Sequence, residues 1–113
     1  MQKKFSNTDF LTEIATIYKI LGNVTRLKIL YFLMTQANPV NVSTIVQNIH
    51  SEQPIVSKQL GILYHYQLVD RQRQGVQILY QVSDPHIVEL LADMFNHVQH
   101  EIKGQAHPFN AKN

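Results

Sequence analysis

The chain has 113 residues, of which 44% are hydrophobic, 16% charged and 9% aromatic, enough for a single domain with one modest core. Ten lysines and arginines against eight acids leave a net charge of +2, too small to mark a polyionic or disordered chain. Cysteine is absent, which excludes disulfides, thiolate nucleophiles and sulfur-rich metal sites. No apolar run approaches the roughly 20 residues of a membrane span, and none follows the lysines of MQKKFSNTDF, so no signal peptide and a cytoplasmic location are expected.

Phe10, Leu11, Ile14, Ile17, Tyr18 and Leu21 recur at helical spacing, with Thr8 or Asp9 as N-cap and Gly22-Asn23 as the stop. Val24, Leu27, Ile29, Leu30, Leu33 and Met34 give a second helix that ends at Asn38-Pro39. Asn41 can cap a short third helix carrying Val42, Ile45, Val46 and Ile49, broken at His50-Ser51. A fourth starts near Ser51 or Glu52, with Pro54 in its first turn, where a missing N–H is harmless. Its apolar face is Val56, Leu60, Leu63 and Tyr64; its polar face is Gln53, Ser57, Lys58 and Gln59. LVDRQRQGVQILYQV then alternates in period two about Gly75, which supplies the positive φ of a tight hairpin. A last helix runs from about Pro85 to Lys103 and ends at Gly104 and Pro108, before a flexible tail over about 104–113.

This order predicts a mainly α fold with a small β-hairpin wing, a winged helix-turn-helix in one domain over 1–113. Charge supports it. Lys19, Arg26, Lys28, Lys58, Arg71 and Arg73 outweigh Glu52 and Asp70 between residues 19 and 73, whereas residues 74–113 are net acidic. Small polar and basic side chains on the outer face of a recognition helix reach base edges and phosphates of double-stranded operator DNA. Gln53, Ser57, Lys58 and Gln59 fit that need, and Arg71 and Arg73 lead into the wing tip.

LGNVTRLKILYFL resembles the second-helix signature of the ArsR/SmtB winged-helix repressors, an Arg-Leu-x-Ile-Leu core after a Leu-Gly pair. PIVSKQLGILYHYQLVDRQRQGVQILYQVSD resembles their recognition helix and wing, and the likeness runs from about residue 9 to 103. One departure is Lys58, where many members have His; this implies a retained contact to phosphate or base with an altered sequence preference.

Histidine is concentrated late: His86, His97, His100 and His107 all follow residue 85. His97 and His100, three apart on one helix, are expected to share a face, and Asp84 and His86 sit at the helix start. One carboxylate and three imidazoles suit tetrahedral Zn(II) or Co(II). His86 and His97 lie roughly 16 Å apart along an α-helix, too far for one ion to bridge within one chain. Two such helices packed antiparallel about a two-fold axis would close two identical sites per homodimer. Ile87, Leu90, Leu91, Met94, Phe95, Val98 and Ile102 would form that interface, with help from the first helix. His50 and His65 read as ordinary surface or packing residues; a tail His107 could raise the coordination number toward six and favour Ni(II) or Co(II).

The same resemblance implies a zinc- or cobalt-type sensor. Members with the site on the last helix carry Asp-x-His and then His-x-x-His or His-x-x-Glu, matched by Asp84-Pro85-His86 and His97-Val98-Gln99-His100. Members that sense at the recognition helix use a cysteine motif, absent here. It also implies that one ligand histidine, here His97, bonds toward the recognition-helix region. The function expected is a metal-responsive repressor: the metal-free dimer binds its operator, and bound metal lowers DNA affinity and derepresses metal-resistance or efflux genes. Because only neutral imidazole ligates, metal affinity is expected to fall below about pH 6. Two alternatives stay open: a winged-helix regulator that does not sense metal, and a nickel or cobalt sensor that recruits His107. A zinc hydrolase is disfavoured, since a catalytic site keeps three protein ligands and an open position; no enzyme activity is expected.

Overall fold

The computed structural model describes residues 7–102, so His107 and the tail lie outside the described residues. Two compact units follow one another, 1–82 and 83–113.

In the first unit, α1 spans Asn7–Leu21, with Asp9 in its first turn and Lys19 in its last, each complementing the helix dipole. Because the helix begins at Asn7, Thr8 and Asp9 lie inside the first turn instead of capping it. Of its apolar stripe only Leu21 is buried; Phe10, Leu11, Ile14 and Tyr18 face water. The Gly22 N–H closes the helix by donating to the Tyr18 and Lys19 carbonyls. Asn23 then opens α2 (Val24–Met34), its side chain accepting from the Arg26 N–H at 3.0 Å. This second helix supplies the centre of the core with Ile29, Leu30 and Leu33.

Val40–Asn41 forms a two-residue strand, β1, which the sequence pattern does not announce because two residues cannot show an alternation. Asn41 also caps α3 (Val42–Ile49), its side chain accepting from the Thr44 N–H at 2.9 Å. Ile45 and Ile49 of α3 point inward. His50 ends it in the left-handed region, φ 56°, with its N–H on the Val46 carbonyl. After Ser51, α4 spans Gln53–His65 and buries Val56, Leu60 and Leu63 completely. Glu52 occupies its N-cap without a side-chain cap bond, and Pro54 stands in the first turn as expected.

The end of α4 is a Schellman arrangement. The Leu68 N–H donates to the Leu63 carbonyl at 2.8 Å and the Gln67 N–H to the Tyr64 carbonyl at 3.0 Å, with Leu68 and Leu63 both buried. Gln67 takes the left-handed position, φ 62°, that glycine usually fills.

β2 (Asp70–Gln74) and β3 (Gln77–Gln81) form the hairpin, with Gln74 paired to Gln77 across the two-residue turn Gly75-Val76. Gly75 has φ +66°, as expected of the first central residue of a type II′ turn. β1 joins β3 through Val40–Tyr80 and Asn41–Leu79, so the wing is a three-stranded antiparallel sheet, order β1-β3-β2, and not a hairpin alone. Among the described residues no polar or charged residue is buried.

In the second unit, α5 spans Pro85–Asn96, and His97–Ile102 continue it as a π-helical segment. A continuous α-helix through this stretch is therefore not found.

Gln67→Gly is expected to stabilise the fold by about 1 kcal/mol by relieving the left-handed side-chain clash, read from urea midpoints at constant slope.

Candidate functional site

α3, the three-residue break His50–Glu52 and α4 make the helix-turn-helix, and β2 and β3 follow directly as the wing. The three inward residues of α4 fix which side faces out. Gln53, Ser57 and Lys58 are exposed on that outer side, as expected of residues that read DNA.

Gln59 is placed differently. It is half-buried, and its Oε1 accepts from Arg26 Nε at 2.8 Å, while Arg26 Nη1 donates to the Ile20 carbonyl at 3.0 Å. The guanidinium thus ties the end of α1 and the start of α2 to α4. Gln59 serves this tie; its adjacency to Lys58 in sequence hides that it lies a further 100° around the helix.

Arg71 and Arg73 are exposed on β2, opposite Tyr80 and Ile78, so both lie on one face of the sheet. The Arg71 guanidinium stands 3.9 Å above the ring centroid of Tyr64. Tyr64 is therefore not a core residue: it is 40% exposed and supports a basic side chain. The signal available in sequence was its place at the edge of the apolar stripe. Arg71 and Tyr64 border two neighbouring grooves, one of about 580 Å³ reaching Gly61 and His65, the other of about 470 Å³ reaching Arg73 and Ile78.

The second cluster lies on α5. Asp84 is the N-cap, and its Oδ1 accepts from the His86 N–H at 2.8 Å and the Ile87 N–H at 3.4 Å. His86 Nδ1 lies 3.4 Å from the same oxygen, with an imidazole 95% exposed. These bonds bring Asp84 and His86 together at one helix end. The His86 N–H, above all, holds the Asp84 carboxyl below the ordinary aspartate range; slight desolvation opposes it.

His97 and His100 are exposed at the other end of α5. His97 begins the π-helical segment, its N–H shared between the Asp93 and Met94 carbonyls. The π turn bonds i to i+5 and is wider than an α turn, so residues three apart fan further around the axis than on the single α-helical face expected of them. Among the described residues no three histidine, aspartate or glutamate side chains converge within one chain.

The family profile described as "Bacterial regulatory protein, arsR family" matches residues 23–71, which span α2 to the start of the wing. The HTH-type transcriptional regulator NmtR of Mycobacterium tuberculosis is 33% identical over 88 residues, 78% of this chain and 72% of that protein. The solution structure of apo-NmtR superposes with a TM-score of 0.73 at 29% identity, covering 95% of this chain and 90% of that one. A homodimeric winged helix-turn-helix DNA-binding domain from Mycobacterium bovis shares the fold, with a TM-score of 0.78 at 22% identity over 95% and 98% of the two chains.

Because the Asp84 pKa is lowered on folding, its contribution to the start of α5 is complete above the ordinary aspartate value, about 3.9, and is lost as pH falls through the folded value. Acidification from about pH 5 to pH 2 is expected to lower the protection of the Ile87 and Val88 amides, measured as exchange relative to the intrinsic rate at each pH. Asp84→Asn, which keeps the cap and loses the titration, should remove most of that change.

Proposed function

The chain belongs to the ArsR family of bacterial regulatory proteins, and on that footing we propose that it is a metal-responsive transcriptional repressor acting as a homodimer on operator DNA. The observation that carries this function is the division of donors on α5. Asp84 and His86 are exposed at its start and His97 and His100 beyond its end.

The donor chemistry fits Zn(II) or Co(II): one carboxylate, already oriented by its cap bonds, and three imidazoles open to solvent. Asp84 and His86 from one copy would act with His97 and His100 from the other, and the ion would supply a link between the two copies. Exposed apolar surface supports a second copy: Phe10, Leu11, Ile14 and Tyr18 on α1, Met94 on α5 and Val98 in the π-helical segment after it.

On the DNA side, Gln53, Ser57 and Lys58 face the major groove and Arg71 and Arg73 the phosphates or the minor groove. Gln59 acts through Arg26. The metal-free dimer holds its two α4 helices at the spacing of adjacent half-sites; a dimer held in another shape loses affinity and frees the promoter of metal-resistance or efflux genes. By linkage, DNA weakens metal binding by the same factor.

The experiment is an operator titration at fixed salt with zinc, cobalt and nickel, using a site selected from random duplexes. Zinc or cobalt is expected to weaken wild-type binding by about 10–100-fold. His97→Ala should bind the metal-free operator as tightly as wild type and ignore zinc. A wild type indifferent to all three metals would instead be a regulator that does not sense them. A nickel response lost in His107→Ala would identify the tail as a further donor.

A further inference from the structure

Gly61 has no explanation within its own chain. It lies deep in the 13-residue α4, where glycine is destabilising relative to alanine. A Cβ built on it meets nothing within 4 Å. Gly75, by contrast, is required by its positive φ.

The position of Gly61 indicates what it accommodates. It is exposed, on the same stripe as Ser57 and Lys58, one turn before Tyr64 and His65. It lines the groove between α4 and β2, where Arg71 is held over Tyr64. Asp70 sits in the same groove, so the basic character comes from Arg71 there and from Lys58 beside it. A helix in one DNA groove and a hairpin reaching the next leave the intervening sugar-phosphate strand between them.

We infer that Gly61 is the point at which the α4 backbone makes direct contact with that strand, seated in the groove with Arg71 on its other side. The inference rests on α4 acting as the DNA-reading helix. A bare Cα lets phosphate or sugar atoms approach the helix closely, with Cα–H···O contacts in place of side-chain bonds. Tyr64 is then a positioning residue that keeps Arg71 extended toward the strand.

The contact is to backbone, so no operator is needed to test it. A fluorescein-labelled duplex of about 30 bp and mixed sequence, at low salt, is titrated with wild type, Gly61→Ala, Gly61→Ser and Arg71→Ala, and the melting temperature of each protein is measured. Gly61→Ala is expected to melt a few degrees higher than wild type yet bind about tenfold more weakly, with an unchanged slope of log affinity against log salt, because no cation is lost. Gly61→Ser should weaken binding similarly, and Arg71→Ala should reduce the salt slope by about one. A Gly61→Ala protein that binds within about twofold of wild type overturns the inference, and so does one that loses binding while melting lower, since glycine then serves the fold. A wild-type chain that leaves the duplex free overturns the DNA-binding function itself, and this contact with it.

Discussion

Val56, Leu60 and Leu63 are withdrawn from water completely, and this fixes what α4 can offer to anything else. Three residues on one stripe leave a single rotation of the helix compatible with a dry core. Together they bury roughly 5–7 kcal/mol of apolar transfer free energy, more than any one surface contact could oppose. The Arg26 guanidinium then holds α4 to the α1–α2 corner through Gln59. What remains outward is a short register of Gln53, Ser57, Lys58 and Gly61, followed by a tyrosine that carries an arginine from the adjoining strand. The outward face of α4 is thus a by-product of core packing.

Much of this was legible in the residues. Asn41 as a cap, Pro54 in a first turn and Gly75 in a turn each have a local cause, and local causes can be read without the fold. What escaped needed partners distant in sequence. β1 exists because Tyr80 and Leu79 offer it a ladder, and Gln59 turns inward because Arg26, 33 residues earlier, supplies a donor. Tyr64 reads as apolar in a periodic pattern, but Arg71 makes it part of the surface. The glutamine at the left-handed end of α4 is held by neighbours, since the Leu63–Leu68 contact and two backbone bonds outweigh its own preference.

The proposed metal donors were legible as a pattern and not as a geometry. Asp84 and His86 meet because the capping bond draws the aspartate back over the first turn, a local cause again. His97 and His100 stand where α5 passes into a wider helix, and residue spacing carries no mark of that change. Their separation from the first pair is a matter of helix rise, which the spacing in sequence already gives without any detail of side-chain angle.

Among the described residues, no carboxylate, histidine, lysine or arginine is enclosed by the core. Mild acid therefore finds no interior group to charge, and a scaffold of this kind does not melt for that reason. Protonation is left to groups on the outside, and the hydrocarbon framework stays indifferent to it.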